Sequence, residues 1–236
     1  PIYYIKDVSG QTFDASTNAG ILYCINCSNT IIKDLALSNN AYGIFLWNAQ
    51  NSRVENISAT DNAWLGIYMV SSSGNVVTGN IVSSASDDSS GIGLENSSNN
   101  TISQNQINNH RWSGLELWSA SDNSIEENEI SGNGADGIYI YSSAGNLVIR
   151  NSISANGAIY NGFGIYLNQS DNQLIYNNNF VNNANQAFGD GVNSFNYGLP
   201  EGGNHWSNFD APEEGCLNTN GDALCDRPYI FEGGQD

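Results

Sequence analysis

Three carboxylates stand where a reaction could be run. Glu95 and Glu116 are 21 residues apart, and Asp136 follows 20 residues later. Two carboxyl groups can cleave a glycosidic bond when one donates a proton and the other acts as nucleophile or activates water. Their separation is about 5 Å for retention and about 6.5–9.5 Å for inversion. The two glutamates fall on neighbouring turns of a repeating chain, two residues out of line. That places their Cα atoms on the order of 8 Å apart, which accommodates either arrangement. Asp61 and Asp88 are further acids of the same kind. In a chain with 24 acidic residues, most acids are expected to be solvated surface.

Aromatic residues recur beside these acids: Trp47, Trp64, Tyr68, Trp112, Trp118, Tyr139, Tyr141 and Tyr166, with His110 and Arg111 next to Trp112. Flat rings pack against the apolar C–H faces of sugars, while carboxylates and amides bond the hydroxyls. A contiguous exposed stripe of this kind marks a binding surface. The blander reading is that aromatic residues suit strands and pack across them. A lyase would want a base and cations near an acidic substrate, and only His110, Arg111, Lys33, Arg53 and Arg150 could help. A hydrolase acting on a neutral or weakly charged glycan fits better.

A second constellation lies near the end of the chain. Asn218, Asn220, Asp222 and Asp226 offer oxygen ligands at relative positions 1, 3, 5 and 9, with Gly221 for the turn. This spacing suits a structural calcium ion, although the glutamate that completes an EF-hand loop is missing. An Asx-rich turn without metal is the alternative. Cys216 and Cys225 bracket the loop, as a disulfide would. Cys24-x-x-Cys27 lies on a strand-to-turn segment, so it reads as a structural disulfide or two packed thiols rather than a redox pair. Nothing calls for an organic cofactor.

The elements that position these residues follow from a repeat. Segments beginning at Gly20, Gly43, Gly66, Gly91, Gly114, Gly137 and Gly164 share one pattern, at spacings of 23, 23, 25, 23, 23 and 27 residues. Apolar residues at the first and third positions after each glycine have the period of a half-buried strand. A helix would need a longer run with a period near 3.6. Asparagines and aspartates recur between the strands at Asn29, Asn51, Asn75, Asn100, Asn123, Asn146 and Asn172, and again five residues later. They suit corners, because asparagine tolerates left-handed backbone and bonds neighbouring backbone groups. Coils of this length stack as an all-β, right-handed, single-stranded parallel β-helix of about 7–9 coils, each strand about 4.8 Å from the next. Residues 1–19 read as an entry strand or cap, 20–191 as the β-helix and 192–236 as an irregular C-terminal cap. The positions two and four after each glycine face outward. This places most of the aromatic residues, Glu95 and Glu116 on one surface.

The chain carries 6 basic residues against 24 acidic ones, a net charge of −18. It lacks the basic footprint of a nucleic-acid binder, and no apolar run is long enough to span a membrane. Its first residues, Pro1-Ile2-Tyr3-Tyr4, are no signal peptide, and they suggest a processed or excised chain. Paired cysteines and little lysine suit an extracellular, cell-surface or periplasmic setting.

The Gly-x-x-x…Asn-x-Val/Ile…Asn-x-x-Ile coil resembles the parallel β-helix repeat of the NosD-like family, which overlaps the carbohydrate-binding and sugar-hydrolase (CASH) domains. The opening PIYYIKDVSGQTFDAS and the ending GNHWSNFD with NTNGDALCDRPYIF are similar to the ends of archaeal and bacterial surface proteins of this kind. The resemblance implies a pectate-lyase-like solenoid. It implies several functions: polysaccharide binding or hydrolysis, a non-catalytic S-layer-type module carrying other domains of a larger surface protein, or copper handling. Copper wants soft or imidazole ligands, and here Met69, His110 and His205 are scattered.

Overall fold

The computed structural model describes residues 2–84, 86, 88–198, 202–219 and 225–236. It is a parallel β-solenoid. Three parallel sheets run its length, one of nine strands and two of eight, closed at one end by a two-stranded hairpin. Each inner coil contributes one strand to each sheet. In the coil that begins at Leu115 these are Leu115–Trp118 on the first face, Ser124–Glu126 on the second and Glu129–Ser131 on the third.

Stacking aligns like with like. Ile44, Ile67, Ile92, Leu115, Ile138 and Ile165 pair in register down the first face. All six are fully buried. Leu46, Met69, Leu94, Leu117, Ile140 and Leu167 form a second apolar column beside them, and Ile102, Ile125 and Val148 do the same on the second face. Each coil alone could not bury these side chains; together they make one continuous core.

The corners are held by side-chain amides. On one corner Asn75, Asn100, Asn123 and Asn146 form a chain in which each Oδ1 accepts the backbone N–H of the preceding coil's asparagine at 2.9 Å. Each Nδ2 donates both to the next coil's Oδ1 and to a backbone carbonyl, as Asn123 does at 3.1 Å to Asn146 and 3.1 Å to Ser97. Asn80, Asn105, Asn128, Asn151 and Asn178 repeat this at the second corner, and Asn133, Asn156 and Asn183 at the third. Near-complete satisfaction is what allows so many polar groups inside; among the described residues, His110 Nδ1 is the buried side-chain atom left without a hydrogen-bond partner.

The expected corner positions divide into two kinds. The residue before each ladder amide takes the left-handed backbone, at Asn99, Gln104, Asn109, Asp122, Glu127, Gly145 and Arg150 among others. The amide bonding belongs to the next residue. Asn29, Asn51 and Asn172, expected in the ladder, are instead left-handed corner residues. The ladder positions in those coils are Thr30, Ser52 and Gln173. One residue cannot do both jobs, because the left-handed corner turns its side chain outward.

Three other boundaries shift. In the first repeat Leu22 and Cys24 point inward and Tyr23 outward, since Leu22 rather than Ile21 pairs with Ile44. Residues 2–19 are a coil of the same stack, with Ile2–Lys6 on Ile21–Ile25 and Thr12–Phe13 on Ile31–Ile32. The solenoid runs past residue 191, because His205–Trp206 still pairs with Asn179–Phe180. Trp206 lies flat on Phe180, centroids 4.5 Å apart, and Phe195, Tyr229 and Phe231 complete the aromatic plug over the open end. Cys24–Cys27 and Cys216–Cys225 are disulfides. Among the described residues, no helix is long and apolar enough to cross a membrane.

Candidate functional site

The outward side of the first face carries three parallel rows. The middle row is Tyr23, Phe45, Tyr68, Gly93, Glu116, Tyr139, Tyr166 and Phe188. The trailing row is Trp47, Val70, Glu95, Trp118, Tyr141 and Asn168. The leading row includes Tyr42, Leu65 and Ser90, then Ser113, Asp136 and Phe163.

Rings pack along this surface in two blocks. In the first, Tyr23 meets Phe45 at 5.6 Å, Phe45 meets Tyr68 at 5.6 Å, and Tyr42 stacks on Tyr68 at 5.4 Å. In the second, Trp118 meets Tyr139 at 5.3 Å and Tyr141 at 5.1 Å, Tyr139 meets Tyr166 at 5.5 Å, and Tyr166 meets Phe188 at 4.8 Å. The middle row has no ring at Gly93 and Glu116, and the leading row has none at Ser90, Ser113 and Asp136. In this interruption lies a cavity of about 440 Å³, lined by Tyr42, Leu65, Tyr68, Gly93, Glu95, Asn96, Glu116, Trp118, Ser119 and Tyr141. Gly93 keeps it open: a Cβ there would lie 2.5 Å from Leu65 Cδ2 and 3.1 Å from the Tyr68 ring.

The carboxylates occupy the break. Glu116 is half-buried, and Ser90 Oγ donates to its Oε1 at 2.7 Å. Burial still pushes its carboxyl up, although hydrogen bonds from Ser90, Trp118 and Ser113 oppose this. Asp136 borders it on the next coil and accepts the Phe163 N–H at 2.7 Å. Burial, with Glu116 adding to it, raises Asp136 to about 6. Glu95 accepts a short hydrogen bond from the Tyr68 hydroxyl. Burial and that bond push Tyr68 up. A carboxyl group whose surroundings raise its proton affinity is what general acid catalysis uses.

The structure therefore gathers Glu95, Glu116, Tyr68, Trp118 and Tyr141 around one cavity, with Asp136 and Tyr139 bordering Glu116. Trp47 and Trp64 are exposed on the same face beyond it, and Trp64 packs edge-on against Tyr42 at 5.4 Å. Tyr166 belongs to the second ring block. Arg111 and Trp112 sit at the corner preceding the face. There Trp112 stacks on Tyr160 at 4.6 Å, and Arg111 Nε donates to the Tyr160 hydroxyl at 3.0 Å. His110 is corrected: it is only 2 % exposed, so it cannot touch a surface ligand. It takes a ladder position, its N–H donating to Asn133 Oδ1 and its Nε2 facing Val82 O at 3.2 Å. Burial lowers its pKa to about 4. Ser90, Asn96 and Ser119 were missed, because small polar residues gain meaning only from the coil register that sets them beside Glu116 and Trp118.

The terminal loop is defined in part. Asp226 Oδ2 accepts both the Thr219 N–H at 2.7 Å and its hydroxyl at 2.6 Å, which hold the carboxyl below its ordinary range. Asn220 and Asp222 lie outside the described residues.

Residues 5–135 and 84–211 match the family model described as Periplasmic copper-binding protein (NosD). No curated protein matches the chain. Among solved structures, the periplasmic alginate epimerase AlgG is similar at TM-score 0.60 and 23% identity, over 76% of this chain and 42% of that one. The Dettilon tailspike protein is similar at TM-score 0.61 and 16% identity, over 75% and 42%. DFA-IIIase from Arthrobacter chlorophenolicus A6 is similar at TM-score 0.59 and 16% identity, over 72% and 44%. These likenesses are of fold, and the chain spans less than half the length of each of the three. The family's metal finds no fit among the described residues. All four cysteines are in disulfides, Met69 is fully buried, His110 stands alone in the ladder, and His205 pairs with Asp210 at 3.3 Å. Among the described residues, no three His, Cys, Asp or Glu converge as metal ligands. By its repeat, its solenoid and its match along nearly the whole length, the chain belongs to the NosD family.

Proposed function

We propose that this protein recognises a polysaccharide outside the cytoplasm, along the aromatic first face, and hydrolyses it at the carboxylate-lined break. The carrying observation is the cavity itself: two blocks of half-buried rings, with Trp118 exposed, separated by one opening lined by Glu95 and Glu116, with Asp136 next to Glu116. Rings on both sides would hold sugar units before and after the opening. Beside it, next to Glu116, Asp136 is the proton donor, its raised affinity keeping it partly protonated near neutrality. Glu116, on the adjoining coil and held by Ser90, is the partner carboxylate. Similarity to an alginate epimerase, a tailspike and DFA-IIIase supports a carbohydrate ligand, and the disulfides support an oxidising compartment. The test is a polysaccharide panel read for binding and for new reducing ends. Trp118→Ala is expected to lose binding, and Glu116→Gln and Asp136→Asn to lose product with binding kept. Binding with no product from any glycan removes the hydrolase step, and no binding at all removes the reading.

A further inference from the structure

The charge of the opening says which sugars it selects. Glu95 and Glu116 line the cavity, Asp136 adjoins Glu116, and no lysine or arginine is among the lining residues. The groups that do meet Glu116 are hydroxyls, amides and an indole, from Ser90, Ser113 and Trp118. Those that meet Asp136 are the Phe163 N–H and the like charge of Glu116. Elsewhere on the solenoid some acids have cations: Arg150 reaches Glu126 at 2.9 Å and Glu127 at 3.1 Å, and Arg53 pairs with Glu55. The opening thus concentrates negative charge in a partly dry cleft with no internal counter-ion, which is costly unless a cation arrives from outside.

A metal ion is a poor occupant. The carboxylates are spread along the cleft on three successive coils, and among the described residues no three acids converge as ligands. A uronate would add like charge. A positive charge carried on a sugar ring fits both the spread and the walls. It can pair with one or two carboxylates while its ring lies against Tyr68, Trp118 or Tyr141, whose π faces also attract cations. Resting on the glycan reading above, we infer that the opening takes a sugar unit bearing a free, protonated amine, so that the ligand is an amino-sugar polymer with unacetylated residues.

The experiment is calorimetric titration of the full chain, in chelator, with short oligomers of one amino sugar, either free or fully N-acetylated, and with a uronate oligomer of equal length. The titration is run at about pH 6, below the ordinary range of an α-amino group, so that a large share of such amines is charged. The free-amine oligomer is expected to bind about tenfold more tightly than its acetylated twin, and the uronate not measurably. Glu116→Gln and Glu95→Gln should each erase most of that preference. Glu129→Gln, on the exposed third face, should leave it intact. Equal affinity for the free and acetylated oligomers overturns the amine inference and leaves the glycan reading standing. An equal loss in Glu129→Gln overturns it too, by showing only attraction to an acidic protein. Failure of every oligomer to bind overturns both.

Discussion

The corner ladders and the first face are built on the same coil repeat and use it in opposite ways. At the corners, each coil repeats its neighbour so closely that the amides bond one another in unbroken chains, buried and satisfied. On the first face repetition carries rings side by side until Ser90, Gly93 and Glu116 interrupt it, and there the surface opens. Repetition supplies the stability of a solenoid. A break in repetition is where function is to be sought.

Breaking the ladder should have the largest effect. Asn128→Ala removes the acceptor of two bonds from Asn105 and the donor to Ile102 O and Asn151 Oδ1, leaving buried groups unpaired. Urea unfolding should register a loss of about 3–5 kcal/mol. On the first face the pattern reverses. Trp118→Ala, at a ring 42% exposed, should cost less than about 1 kcal/mol of stability yet weaken glycan binding about tenfold. If both variants proved equally destabilising, the division between the two regions would fail.

Two buried titrating groups sharpen the comparison through pH. His110, a ladder residue, has a folded pKa of about 4, below its ordinary 6.5. Its neutral form is the one that fits, so its contribution is lost as pH falls from 6.5 towards 4. Asp136, in the opening, is raised from 3.8 to about 6. Its contribution is full below 3.8 and is lost as pH rises through 6. The two oppose one another between pH 4 and 6. His110→Asn should therefore make the protein relatively more acid-stable, and Asp136→Asn relatively more stable above pH 6. Thermal melts of both variants at several pH values test the signs.

Much of this fold was legible from the chain. Gly43, Gly66, Gly91, Gly114, Gly137 and Gly164 mark coils because the first-face strand enters against its neighbour's backbone: a Cβ on Gly43 would meet Gly66 O at 2.6 Å. The paired in-register Ile and Leu columns could be predicted from period alone. What could not be read was where two functions share adjacent residues. Asn29 and Asn172 look like ladder asparagines by type, yet the corner demands a left-handed residue first and a bonding one second. His110 looked like a ligand because it adjoins Arg111 and Trp112, but it occupies the column of Asn133 and Asn156. The first-face acids and rings were visible one by one. That Gly93 makes room among them depends on Leu65 and Tyr68 one coil away, and linear spacing does not display this.

The most direct test fills the break without disturbing the ladders. In Gly93→Ala, the new methyl meets the movable end of Leu65 and the edge of Tyr68, so folding should survive with a cost of about 1 kcal/mol. Calorimetric titration with the best-binding oligosaccharide should then show affinity lowered about tenfold, while the ladder-bound core keeps its unfolding cooperativity. Unchanged affinity in a folded Gly93→Ala protein would contradict the claim that the interruption of the ring rows is the binding site.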